Sequence, residues 1–220
     1  MTVQNNLFQW VRQHKILAVF AATLLVVGAC KAAEILMPAK EIALIIGEPW
    51  KDMQARSTAE IADDIPNEIW YRVPKDLAYL KFADPKYEFV TPPAKCFSIS
   101  FNRGFVYSVR MSPQVEPLPL QESLDIVLDL QNQWRKSGWE LEDPIENPPY
   151  EDNTEWRKAI EQCTAYSTYW QARDFYSILI SIGCFKDSRH PYEKRYLITM
   201  AIGKYIDYDS DTDNSTPHGK

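Results

Sequence analysis

Residues 96–111 read CFSISFNRGFVYSVRM, and this stretch decides the fold. In both halves large apolar residues alternate with polar ones: Phe97, Ile99 and Phe101, then Phe105, Tyr107, Val109 and Met111. A period of two is typical of strands whose sheet has one buried face. Between the halves stands Asn102-Arg-Gly104, in which the glycine can adopt positive φ. The pattern predicts an antiparallel hairpin.

The sequence on either side of this hairpin predicts further strands and two or three helices. Residues 120–137 place Leu124, Val127, Leu128 and Trp134 on one stripe, widened by Leu120 and Leu130, with Gly138 as the residue that ends the helix. The remaining predicted helices are 49–57 and 155–162, the latter capped by Thr154, and the remaining strands are 69–73, 77–82, 164–172, 175–185 and 195–206. This order predicts an α+β fold, in which an antiparallel sheet of a hairpin plus a C-terminal three-strand meander carries the helices on one face.

The N-terminal residues have the layout of a secretory signal. Residues 1–15 contain Arg12 and Lys15 and no carboxylate, and residues 16–29 are an uncharged, mostly apolar run. As a helix that run spans only about 21 Å, which is short for a membrane crossing. We expect residues 1–29 to be a signal peptide, residues 30–40 a tether, residues 41–206 a single domain and residues 207–220 a disordered acidic tail.

The segment Val27-Gly28-Ala29-Cys30 resembles the lipobox of bacterial lipoproteins. The resemblance implies that Cys30 becomes the first mature residue and carries lipid, which gives stable membrane anchoring. Lys31 follows where an aspartate would favour the inner membrane, so the resemblance favours the outer membrane. Two alternatives are cleavage after Ala32 by an ordinary signal peptidase and an uncleaved N-terminal anchor.

The four cysteines predict one disulfide. If Cys30 is acylated, Cys96, Cys163 and Cys184 remain in an oxidising compartment. A two- or four-residue loop around Arg173-Asp174 would pair residues whose numbers sum to 347, as those of Cys163 and Cys184 do. A three-residue loop would spoil this match. The alternative is three unpaired, buried thiols.

An acidic, proline-rich segment, residues 139–156, is the strongest candidate for a binding site. A stiff loop loses less entropy on binding, and aromatic residues beside charges suit a protein interface. We therefore predict that this segment docks into a basic cleft on a protein partner, through Glu140, Glu142, Asp143, Glu146, Tyr150, Glu151 and Asp152. The alternative is a solvated acidic connector between two helices.

The other residues that could act in catalysis or binding form no specific motif. His190 stands in a polar loop without a matched nucleophile, the serines alternate along strands, and Arg110 could contact a ligand from an outward face. The tail from Asp207 begins like a calcium loop, but Asn214 replaces the turn glycine and Lys220 the final glutamate. We expect no enzyme activity, no metal and no cofactor.

The net charge of the chain limits the classes of molecule that it is expected to bind. Of the 24 basic residues, Arg12 and Lys15 lie in the leader, which leaves 22 against 30 acidic residues, a charge of −8. Such a surface disfavours nucleic acid. In leader, size and charge the chain resembles immunity lipoproteins paired with type VI secretion effectors. The resemblance implies an envelope protein that neutralises a secreted toxin by occluding it. The alternatives are a structural or assembly lipoprotein of the envelope and, last, an enzyme.

Overall fold

The predicted hairpin is formed by β5 (Phe97–Asn102) and β6 (Phe105–Met111) in a computed structural model that describes residues 40–205. Asn102 pairs with Phe105, so the turn has two residues, Arg103 and Gly104, with φ of 49° and 86°. Two central residues at positive φ match the right-handed twist of the strands. A bulge between Ser100 and Phe101 shifts the register of the hairpin.

The hairpin lies within a seven-stranded antiparallel sheet, whose other strands are β2 (Ile69–Arg72), β7 (Glu140–Leu141), β8 (Thr168–Ala172), β9 (Tyr176–Phe185) and β10 (Arg195–Lys204). The strand order is β2-β5-β6-β10-β9-β8-β7. The C-terminal meander is confirmed: β8, β9 and β10 pair in sequence, and β10 joins the meander to β6. The sheet and its helices confirm the predicted α+β class.

A second, three-stranded sheet was not predicted as such. It consists of β1 (Lys40–Leu44), β3 (Ala78–Phe82) and β4 (Phe89–Val90), and β1 pairs with β3 in parallel. The sequence predicted only antiparallel strands and so did not predict this parallel pair. The apolar runs at β1 and β3 indicate strands, but a local pattern does not reveal which distant strand each one pairs with.

Three helices pack on the inner face of the large sheet. They are α1 (Trp50–Arg56), α2 (Leu120–Lys136) and α3 (Thr154–Glu161). Trp50 of α1 contacts Phe101 at a centroid distance of 5.2 Å, and Trp134 of α2 contacts Trp170 at 5.5 Å. The stripe on α2 is buried largely as predicted, and Gly138 ends the helix at φ 78°. The tryptophans thus join the helices to the inner face.

The predicted cap of α3 was wrong by one residue. Asn153, not Thr154, is the N-cap, and its side-chain oxygen accepts the N–H of Trp156 at 2.8 Å. Thr154 is the first residue of the helix. Asparagine and threonine are both favourable N-caps, so composition alone does not choose between neighbours.

The predicted disulfide between Cys163 and Cys184 is present, with the Cα atoms 5.5 Å apart, but the register argument for it was wrong. Ala172 pairs with Tyr176, so the loop has three residues and pair numbers sum to 348. Cys163 does not belong to a strand. It follows α3 at φ 60°, where its N–H and that of Thr164 donate to the carbonyls of Ile160 and Ala159 in a Schellman motif.

We expect the Cys163→Ala/Cys184→Ala double variant to unfold with a free energy lower by about 3 kcal/mol, because the bridge closes a loop across a separation of 21 residues. Urea unfolding followed by circular dichroism measures the difference. Cys96 is a free, exposed cysteine, so Cys96→Ala is the matched control and should change the free energy by less than about 0.5 kcal/mol. Equal stability of the two variants would contradict the prediction.

Candidate functional site: the outer face of the large sheet

The outer face of the large sheet, opposite the helices, carries mostly small side chains in its central strands. These residues are Ser98 and Ser100 on β5, Ser108 on β6, Ser177 on β9, and Ala201 and Gly203 on β10. Because the side chains are small, they leave a cavity of about 640 Å³ above the strands. We call this cavity, with its floor and rims, the trough.

The trough has aromatic rims. Tyr71 lies on one side and Tyr169 on the other, and both side chains line the cavity while remaining substantially exposed. Two smaller hollows of about 370 and 340 Å³ adjoin it, the first sharing Arg110 and Ser98 with the trough and the second sharing Lys204. The first of these hollows extends the trough along β5, β6 and β10 as far as Val73 and Cys96.

Two basic residues and one acidic residue line the trough. Arg110 on β6 and Lys204 on β10 line the cavity, whereas Glu142 follows edge strand β7. Within residues 40–205, no hydrogen bond or ion pair engages the Arg110 guanidinium. Several other arginines are paired, as Arg157 is with Asp152 at 2.5 Å. The trough therefore offers an uncompensated positive charge in an acidic protein.

The predicted acidic contact residues divide into two groups. Glu140 and Glu142 are exposed at the β7 edge, and the Glu142 N–H donates to the Tyr169 carbonyl at 2.9 Å, which places them beside the trough. Asp143 turns the chain by accepting the N–H groups of Ile145 and Glu146 through Oδ1. Glu146 is exposed in that turn. The Glu140 end of the segment is thus continuous with the trough.

The second group lies at the start of α3. Glu151 accepts a hydrogen bond from the side-chain amide of Asn153 at 2.9 Å. Arg157 donates to Asp152, and this hydrogen bond holds the pKa of Asp152 below its usual value. Neither Glu151 nor Asp152 lines the trough. The structure therefore does not bring all seven predicted contact residues into one patch.

Tyr150 is a core residue, and its prediction as a partner contact was wrong. Its side chain is 1% exposed and stacks on Trp156 at a centroid distance of 4.2 Å. The hydroxyl donates to the Tyr166 carbonyl at 2.8 Å and accepts the N–H of Ile182 at 2.9 Å. A buried hydroxyl needs such partners, and this side chain joins the acidic segment to the sheet rather than to a partner.

Gln131 on α2 is an important residue that the sequence reasoning missed. Its fully buried amide donates to the Tyr150 carbonyl and accepts the Tyr150 N–H, both at 2.9 Å. A glutamine three residues before Trp134 and seven after Leu124 lies on the apolar stripe of the helix, and that position was the available signal. Gln131 fixes the backbone of the acidic segment where it meets the core.

Burial raises the pKa of Tyr150 to about 12. The folded-state pKa therefore exceeds the unfolded value near 10, so its contribution to stability is complete below pH 10 and is lost as the pH rises through 12. We expect the free energy of unfolding to fall by roughly 2–3 kcal/mol over this range from Tyr150 alone. Urea unfolding at pH 9 and pH 12 measures this fall, which Tyr150→Phe should reduce. Identical falls in both proteins would contradict the assignment.

The remaining candidate groups within residues 40–205 are His190 and Cys96. Among residues 40–205, no three or more histidine, cysteine, aspartate or glutamate side chains are grouped to hold a metal ion. His190 lies in a turn where its backbone N–H donates to the Asp187 carbonyl. Cys96 is an exposed thiol that lines the hollow beside Arg110. Cys30 and the Asp207 tail lie outside the described residues.

In the described part of the chain, no helix has the length and apolar character needed to cross a membrane. Comparison of the chain with protein-family models, with curated protein sequences and with solved structures finds no match.

Proposed function

We propose that this chain is a lipid-anchored protein of the bacterial envelope that binds a protein partner across the trough. More specifically, the chain in this proposal is an immunity protein that neutralises a secreted toxin by occluding it. The observation that carries the proposal is the concave outer face, which no segment of residues 40–205 covers and which is lined by the exposed tyrosines Tyr71 and Tyr169 and by Arg110.

Several features of the trough support a protein as the partner. Tyrosine and arginine are the residues that most often dominate protein interfaces, and the trough combines Tyr71, Tyr169 and Arg110. The opposite charges of Arg110 and Glu142 favour one orientation of a partner whose charges are complementary. Occlusion needs only a stable complex over the toxin's active site, so the neutralising protein needs no catalytic group of its own.

The anchor in this proposal is Cys30, with the outer membrane as the favoured location. We expect Cys30→Ala to abolish incorporation of a labelled fatty acid into the protein, because the lipid is carried by the thiol and the amino group of that residue. Metabolic labelling in its own cells, followed by gel fluorography, measures incorporation. Cys96→Ala is the matched control and should be labelled like wild type. Labelling that survives Cys30→Ala would remove the anchor from the proposal.

Native affinity purification of the full-length protein from its own cells, followed by mass spectrometry, tests the function. The proposal expects one secreted hydrolase in stoichiometric amount, and expects cells lacking this chain to be sensitive to that hydrolase. Recovery of envelope assembly proteins would instead support the alternative, a structural or assembly lipoprotein. Recovery of no protein would contradict protein binding.

A further inference from the structure

Strand β2 forms one edge of the large sheet and is unusually apolar for an exposed edge. Ile69, Trp70, Tyr71 and the following Val73 are 62%, 55%, 50% and 50% exposed. Edge strands in soluble proteins are ordinarily guarded by charges, prolines or bulges. The one charged residue of β2, Arg72, donates to the Asp63 carbonyl at 2.7 Å and lies 5.8 Å from the Phe101 ring. Its charge therefore does not guard the edge.

The backbone of β2 presents unpaired groups at this edge. The Arg103 N–H donates to the Glu68 carbonyl at 2.9 Å, and the antiparallel register continues with Trp70 opposite Phe101 and Arg72 opposite Ile99. Hydrogen-bonded pairs alternate along such a ladder, so the N–H and C=O groups of Ile69 and Tyr71 point away from β5. Within residues 40–205, no group accepts or donates to them.

We infer that β2 is a strand-addition site, at which the protein partner pairs an extended segment with the free edge. This inference rests on the proposed function and names the chemistry of the partner. Main-chain hydrogen bonds would give affinity, and side chains of the added segment would pack on the exposed rings of Trp70 and Tyr71, which stack on each other at a centroid distance of 5.6 Å. The matching segment has apolar residues and no proline at its pairing positions.

The area of the edge favours a partner protein over a second copy of this chain. The exposed parts of the four apolar side chains amount to roughly 400 Å². Two copies joined here would bury about 800 Å², below the roughly 1,200 Å² of a stable specific interface. Tyr71 also lines the trough, so a partner seated in the trough reaches β2 without a gap. The two surfaces together approach the size that a specific complex needs.

A comparison of two variants, Ile69→Pro and Ile69→Ala, tests the inference. Ile69 begins β2 and its N–H points outward, so Ile69→Pro removes a donor from the free edge and leaves the ladder to β5 intact. Ile69→Ala removes the side chain and keeps the donor. We expect the partner recovered with the wild-type chain to bind Ile69→Pro at least about tenfold more weakly than Ile69→Ala, by biolayer interferometry. Equal circular dichroism spectra and urea midpoints would show that both variants fold.

Amide hydrogen exchange gives a second readout on the wild-type complex. Pairing should slow exchange at the Tyr71 amide by at least about tenfold relative to the free protein. Equal affinity of the two Ile69 variants, with unchanged exchange at Tyr71, would overturn strand addition and leave protein binding in place. Analytical ultracentrifugation could instead show a wild-type dimer that Ile69→Pro dissociates. That result would overturn the inference that a partner protein, and not a second copy of this chain, pairs with β2. Failure to recover any partner would overturn both the proposed function and this inference.

Discussion

Gln131→Leu is expected to lower the free energy of unfolding by about 3–5 kcal/mol, one of the largest effects of any single substitution proposed. Leucine fits the apolar stripe of α2, but it leaves both the N–H and the carbonyl of Tyr150 without their partner. Gln131 is 0% exposed, so water does not replace the two lost hydrogen bonds. Each buried polar group left unpaired costs about 1–3 kcal/mol. Urea unfolding measures the loss.

The same helix offers a matched control. The Gln133 amide also bonds both polar groups of one backbone residue, accepting from the Val90 N–H at 2.9 Å and donating to the Val90 carbonyl at 3.0 Å. Val90 is 41% exposed, so water can take over these hydrogen bonds. Gln133→Leu should therefore cost less than about 1.5 kcal/mol. If the two variants lose the same stability, burial of the Tyr150 hydrogen bonds is not what makes Gln131 important.

Arg110→Glu is expected to weaken binding of the protein partner by a factor of roughly 30 or more, the size of an interface hot spot. Arg110 lines both the trough and the hollow beside it. Reversing its charge removes a positive group from the centre of the surface and places a carboxylate opposite the partner's acidic group. Surface plasmon resonance with the recovered partner measures the dissociation constant and its dependence on salt.

Two variants separate this effect from a general change in net charge. Lys158→Glu makes the same change in charge on α3, a helix on the other side of the sheet, and should change affinity less than threefold. Glu140→Lys/Glu142→Lys reverses the acidic edge beside the trough and should weaken binding by about tenfold. If Lys158→Glu weakens binding as much as Arg110→Glu does, the trough is not the main contact of the partner.

Local patterns predicted the elements that depend on local residues. Alternation at residues 96–111 identified β5 and β6, because β5 and the end of β6 bury one face. In the first half of β6 the predicted faces were wrong, since the bulge leaves Phe105 and Tyr107 exposed and buries Val106. The apolar stripe and Gly138 identified α2 and its end, because helix geometry places those residues on one face and a glycine readily adopts the required positive φ. The fold class followed from these elements in their chain order.

Features that depend on distant neighbours were not predictable in this way. Tyr150 looked like an interface anchor because acids and prolines surround it in sequence, whereas in space Gln131, Trp156 and Ile182 surround it. The disulfide was predicted from an incorrect register, since one extra loop residue separates β8 from β9 and Cys163 ends a helix instead. The trough itself arises only when serines of three strands meet on one face.

Hydroxyl-radical footprinting of the purified complex against the free protein tests the central claim, that the outer face of the large sheet receives the partner. The proposal predicts that oxidation of Tyr71 and Tyr169 at the rims falls severalfold in the complex. Tyr192, fully exposed in a loop, should be oxidised equally in both samples. Unchanged oxidation of both rim tyrosines, with protection at Ile145 in the acidic segment, would contradict the claim and place the partner on that segment alone.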